Sequence, residues 1–185
     1  AEGNATQAEP IGFVGRISPE KGIDDFIATA KALPDLAFAV AGATDQMPEL
    51  VAQSPNNVKW LGFLKGEELD SFYRGCRLVV FPSKCFEGFP NVVNHAMAMG
   101  KPVIATRIGA IPEIVEHEKT GLLFEVGNVR ELTGLIQSLY SDPERCRKLG
   151  EAGRLKAETE YSADVVYSKL MGILEKTLNH HRLNV

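Results

Sequence analysis

The chain has 185 residues, 44% of them hydrophobic, and a formal net charge of −4. That is about one domain's length with apolar residues enough for a buried core, and its scattered basic residues give no electrostatic reason to expect nucleic acid. No apolar run approaches the roughly 20 residues of a membrane span. Cys76, Cys85 and Cys146 are odd in number and lack metal-ligand spacing, which reads as reduced thiols in a cytoplasmic protein.

Residues 1–10 are polar and weakly patterned, and read as a linker or the edge of an excised segment. Short apolar runs then alternate with amphipathic ones. Ile11 to Gly15 is a predicted strand, and Ile23, Phe26, Ile27 and Ala30 fall on one helical face. Strands follow at Leu36 to Gly42, Val58 to Phe63, Leu78 to Pro82, Val103 to Thr106 and Gly121 to Phe124. Between them the pattern predicts helices at Pro48 to Gln53, Glu67 to Arg74, Asn91 to Met99 and Pro112 to Val115. The remainder is helical: Val129 to Tyr140, Pro143 to Glu160, and Ala163 to about Asn179. Continuous apolar strands alternating with helices predict an α/β, Rossmann-like, doubly wound parallel six-stranded sheet with extra C-terminal helices. Ligands should then bind at the carboxyl ends of the strands.

Two loops on that rim could carry chemistry. In Gly15 to Gly22, Arg16 leaves the first strand and Lys21 precedes the next helix. Cations beside free helix N–H groups suit an anion such as pyrophosphate; the competing reading is two solvated surface cations. In Pro82 to Asn91, Gly88 permits close backbone approach, and the helix starting near Asn91 offers further N–H groups. Glu87 is a carboxylate among apolar rings that can accept from sugar hydroxyls, or else a surface acid capping the following helix. Cys85 in this loop reads as a bystander thiol, Glu113 as a first-turn acid stabilising its helix, and His180-His181 as an exposed tail pair. No Walker-type loop, dinucleotide fingerprint or zinc spacing is present.

The runs "FVGRISPEKG", "VAG", "WLGFL", "VVFPS", "EGFPN", "AMAMGKPVIAT" and "GLLF" keep the order and spacing of a known family. Over about residues 11–160 the chain resembles the C-terminal, donor-binding half of GT-B-fold retaining glycosyltransferases of group 1. Residues 161–185 would be a C-terminal helix and tail. The resemblance implies that Arg16 and Lys21 neutralise the donor diphosphate and that Glu87 contacts the donor sugar as the catalytic-site acid. It implies that the segment Gly88, Phe89, Pro90, Asn91 and Val92 binds the sugar or phosphate through the backbone N–H groups of its non-proline residues, and that Phe63 and Leu64 form part of the base pocket. The donor would be a UDP-, GDP- or ADP-linked sugar, with no metal expected.

One position departs from the family. Its second glutamate, eight residues after the first, is His95 here. A carboxylate accepts from two ribose hydroxyls at once, whereas neutral imidazole offers one acceptor and one donor. The expected loss in donor binding is about 1–2 kcal/mol, or about tenfold. The other reading of His95 is a helix residue packed under the loop without ligand contact, and Asn94 points about 100° away around the helix.

The function implied is retaining transfer of a sugar from a nucleotide-activated donor to an acceptor hydroxyl. The partner would be an N-terminal acceptor domain of the same full-length protein, and any membrane association would act through that domain. Two alternatives stand beside it: a non-catalytic nucleotide-binding or partner module, suggested by His95, and a nucleotide-sugar epimerase.

Overall fold

A computed structural model describes residues 9–45 and 47–183, and side chains through Leu178. Most of the predicted 1–10 linker and the His180-His181 side chains therefore lie outside the described residues. Six strands form one parallel sheet: β1 Ile11–Val14, β2 Phe38–Ala41, β3 Val58–Trp60, β4 Leu78–Phe81, β5 Val103–Thr106 and β6 Leu122–Phe124. Their spatial order is β3-β2-β1-β4-β5-β6. The helices are α1 Ile23–Ala32, α2 Pro48–Ala52, α3 Gly66–Gly75, α4 Asn91–Ala98, α5 Ile111–Ile114, α6 Val129–Tyr140, α7 Pro143–Glu160 and α8 Ala163–Leu183.

Both faces of the sheet are buried, and the strand residues alternate between them. Phe38 and Val40 join Phe13, Phe26 of α1 and Leu132 and Ile136 of α6 in one core. Ala39 and Ala41 face the other way, with Phe72 and Tyr73 of α3, Val93 and Met97 of α4 and Ile111 of α5. On the first face the rings of Phe13, Phe26 and Phe38 form a chain with centroids 5.4 and 5.3 Å apart. Each such pair contributes about 0.5–1.5 kcal/mol beyond its buried area. Helix α7 spans both layers, giving Cys146 and Leu149 to one core and Ala157 to the other. Its buried Lys156 donates to the Glu113 carbonyl at 2.7 Å and to Glu116 Oε1 at 2.8 Å, tying α7 to the end of α5. Helix α8 packs against α7 and leaves Tyr167, Leu170, Leu174 and Leu178 exposed. Among the described residues no helix is long and apolar enough to cross a membrane.

The strands are shorter than the apolar runs suggest. Leu36 does not enter β2, because its amide donates to the Leu33 carbonyl at the end of α1. The carbonyls of Ala30, Leu33 and Leu36 all gather around Asn57 Nδ2 at 2.9–3.0 Å. Gly62, at φ +71°, turns the chain out of β3 so that Phe63 stands in a loop with 73% of its surface exposed. A short 3-10 turn at Pro19–Lys21, which the sequence pattern does not signal, precedes α1.

Candidate functional site

The strand order fixes where a crevice opens. Connections from β1 run one way to β2 and β3, and those from β4 run the other way to β5 and β6. The loops leaving β1 and β4 therefore diverge, and ligands bind at such a switch point. Two cavities lie there, sharing Val14 and Gly15 in their walls. The smaller, about 260 Å³, is lined by Lys21, Glu87 and Phe89 to Val92. The larger, about 530 Å³, is lined by Arg16, Phe63, Leu64, Lys65 and Gly66 among others.

Lys21 and Glu87 meet across the crevice, the ammonium donating to Glu87 Oε1. Both side chains are largely buried, with 20% and 18% of their surface exposed. Ser83 Oγ donates to the same Oε1 at 3.1 Å, and the Cys85 thiol lies 3.5 Å from it. Burial pushes the Glu87 carboxyl upward, but hydrogen bonding and charge from Lys21, then Ser83 and Cys85, outweigh it. The carboxyl is held below the ordinary carboxylate range.

The loop carrying Glu87 is anchored on three sides. Gly22, at φ +71°, lies so close to Pro82 that a Cβ on it would sit 1.9 Å from the Pro82 carbonyl oxygen. Lys84 donates its amide to the Glu20 carbonyl at 2.8 Å and its ammonium to Asp24 and Asp25 at 2.6 and 3.0 Å. Burial works against that ammonium, yet the two aspartates raise its pKa above the ordinary lysine value. From the β5 side, Ala110 N donates to the Glu87 carbonyl at 3.2 Å. Gly109, at φ +56°, passes so close that a Cβ there would lie 2.9 Å from that same oxygen.

The other predicted residues divide into those at the crevice and those away from it. Arg16 lines the larger cavity, 68% exposed and 3.6 Å from Glu20, so the two expected cations sit in adjoining cavities, each with a carboxylate partner. Phe63 and Leu64 line that same cavity. Asn91 and Val92 line the smaller one, and they are the first residues of α4, whose first amides have no intrahelical partner. The Pro90 carbonyl takes the amides of Val93 and Asn94. Gly88 lines neither cavity, and a Cβ placed on it would meet nothing within 4 Å, so packing does not demand glycine there. His95 lines neither cavity: its Nε2 lies 2.8 Å from Asp70 Oδ1 of α3, and its ring packs on Tyr73 at 4.6 Å. Asn94 Oδ1 is buried without a partner among the described residues.

Ser83, Cys85, Lys84, Gly109 and Asp70 surround the predicted residues, and the sequence alone does not mark them as site components. Ser83 sits in the "VVFPS" run four positions before Glu87, a spacing with no periodic signal. Among the described residues no group of three His, Cys, Asp or Glu side chains is arranged to hold a metal ion.

A parallel sheet whose switch point opens into a crevice with a buried ion pair and free helix amides defines a Rossmann-like α/β domain with a ligand cleft at its strand ends. The sequence profile of the Glycosyl transferases group 1 family matches residues 2–156, and the chain belongs to that family. It is 35% identical over 166 residues to the uncharacterized glycosyltransferase MJ1178 of Methanocaldococcus jannaschii, covering 87% of this chain and 45% of that protein. The fold matches sucrose-phosphate synthase from Thermosynechococcus elongatus with a TM-score of 0.83 and 28% identity, over 94% of this chain and 46% of that one. It matches Anabaena Alr3699/HepE, solved in complex with UDP-glucose, with a TM-score of 0.83 and 26% identity, over 92% and 49%. These are GT-B glycosyltransferase structures, and the chain spans somewhat less than half the length of each of these proteins.

Proposed function

We propose that this chain is the donor half of a retaining glycosyltransferase, holding a nucleotide-diphosphate sugar in the crevice between β1 and β4. The observation that carries the reading is the Lys21–Glu87 pair, which lines the smaller cavity beside a larger, more apolar one. The nucleoside fits the larger cavity, with its base against Phe63 and Leu64. The diphosphate bridges toward Lys21, with Arg16 and the Asn91 and Val92 amides in reach, and the sugar meets Glu87. Charge developing on the departing diphosphate is then stabilised by fixed cations and amides, with no metal called for in the donor set. Glu87 orients the sugar, a positioning contribution.

Its similarity to a protein solved with UDP-glucose supports a uridine-linked donor. His95 is the expected ribose contact, and its engagement with Asp70 supports a weaker one than a glutamate makes. The acceptor hydroxyl belongs to a site on an N-terminal domain of a longer protein. The 185-residue chain alone then binds nucleotide weakly and transfers nothing. Calorimetric titration with UDP, GDP and ADP tests the reading. Saturable binding of at least one, weakened about tenfold or more in Lys21→Ala, is expected. No binding at millimolar ligand would favour a non-catalytic partner module, and efficient sugar transfer by this chain alone would contradict the two-domain division.

A further inference from the structure

We infer that Ser83 is a positioning residue for Glu87: its backbone is held by the Thr106 hydroxyl, and its own buried hydroxyl pins one carboxylate oxygen and leaves the other for the donor sugar. This rests on reading the crevice as a nucleotide-sugar site.

The contacts on the Glu87 carboxylate are one-sided. Lys21 Nζ, Ser83 Oγ and Cys85 Sγ all converge on Oε1, and the described residues give Oε2 no partner. Ser83 and Thr106 are both fully buried. Thr106 Oγ1 donates to the Ser83 carbonyl at 2.7 Å, and Ser83 Oγ donates onward to Glu87 at 3.1 Å. Thr106 is the last residue of β5, and Ser83 follows the end of its neighbour β4. The link through the Ser83 backbone therefore refers the carboxylate to the rigid sheet, although Glu87 itself stands on a loop.

Lys21 cannot set this orientation alone. An ammonium is a compact point charge with rotatable donors, and it is satisfied by either oxygen or by both. The hydroxyl adds a direction. With Oε1 occupied by Ser83 and Lys21, Oε2 remains the open acceptor of a residue that lines the smaller cavity, suited to one sugar hydroxyl. Without Ser83, the carboxylate turns about its last torsion and Lys21 takes both oxygens. The sugar then loses its acceptor, while the diphosphate keeps its cation.

The experiment compares Ser83→Ala with the unmodified chain in calorimetric titrations. The probes are UDP, GDP and ADP, each paired with its glucose- or mannose-linked form. Ser83→Ala should bind the preferred nucleoside diphosphate within about twofold of the parent, and the corresponding nucleotide sugar about tenfold more weakly, the worth of one hydrogen bond to a charged group. Ser83→Cys, which keeps a weak donor, and Thr106→Val, which removes the far link, should lie between, so the trend is read even where one variant folds poorly. A general packing role would lower both affinities together. Equal losses for nucleotide and nucleotide sugar, or no loss for either, would overturn the inference while leaving the donor-site reading intact. A parent chain that binds none of the six probes would overturn both.

Discussion

Gly22→Ala is a sharp perturbation of the crevice, because one methyl group meets two obstacles there. The backbone sits at φ +71° and ψ 25°, the left-handed region, where a residue with a Cβ costs about 1–2 kcal/mol. The new Cβ would also lie 1.9 Å from the Pro82 carbonyl oxygen and 2.7 Å from its carbon, whereas real Cβ atoms essentially never come within 3.0 Å. A carbonyl is backbone and cannot swing aside, so the turn must retreat by roughly 1 Å, at about 1–3 kcal/mol for overpacking of this kind. Together the two effects predict a loss of about 2–5 kcal/mol, or about 4–20 °C in Tm for a chain of this size. The retreat separates Lys21, one residue before Gly22, from the Pro82 to Glu87 loop. Affinity for nucleoside diphosphate should fall with stability, about tenfold for one lost charged contact. Urea unfolding followed through the single tryptophan, Trp60, measures the first effect, and calorimetry the second. Gly134→Ala is the matched control. It lies inside α6 with nothing within 4 Å of its Cβ position, so the same chemical change should stabilise by about 0.5–1 kcal/mol. If Gly22→Ala unfolds at the parent's urea midpoint and binds nucleotide equally well, the close approach does not hold this site together.

Lys21→Ala should weaken nucleoside diphosphate and nucleotide sugar alike, by about tenfold or more, in calorimetric titration. The Glu87 carboxyl is held below the ordinary range. The stability it contributes is therefore complete above the unfolded carboxylate value, about pH 4–5, and is lost as pH falls through its depressed folded value. Urea midpoints of the parent and Glu87→Gln should differ at neutral pH and converge in acid; a gap that widened in acid would contradict the assignment. Lys156→Met strands the Glu113 carbonyl that Lys156 Nζ reaches at 2.7 Å. It should cost about 1–3 kcal/mol in urea unfolding with nucleotide affinity unchanged. His95→Glu alone sets a carboxylate against Asp70, now 2.8 Å from His95 Nε2, and should gain nothing. His95→Glu with Asp70→Asn removes that repulsion and should raise ribonucleotide affinity by up to about tenfold, with 2′,3′-dideoxynucleotides unaffected.

The fold is largely legible in the sequence because its signals are local. Each strand is a continuous apolar run, each helix a one-faced one, and their alternation leaves few topologies open. Boundaries blur where the deciding contact is distant: Asn57 draws Leu36 away from β2, and Gly62 ends β3 through a dihedral angle that composition does not display. At the site, the residues with a charged group at a strand end can be read from the sequence and their partners cannot. Lys21 and Glu87 are 66 positions apart, and only the β1–β4 pairing makes them neighbours. Asp70 gives no signal because its contact with His95 exists only once α3 and α4 come together. Ser83 and Thr106 look like ordinary strand-end residues until the parallel register of β4 and β5 brings the Thr106 hydroxyl to the Ser83 carbonyl, while the Ser83 hydroxyl reaches Glu87.

The central claim, that a nucleotide-diphosphate sugar binds in the crevice between β1 and β4, is tested most directly by amide NMR during titration with UDP-glucose, GDP-mannose and ADP-glucose. At least one should give saturable shifts concentrated at Val14 to Arg16, Phe63 to Gly66 and Glu87 to Val92, and Lys21→Ala should move their saturation to about tenfold higher ligand or beyond. A cavity of about 790 Å³ opens at the opposite end of the sheet beside Asn56, Asn57 and Phe72. Shifts concentrated there, or no saturable shifts with any of the three at millimolar concentration, would contradict the account.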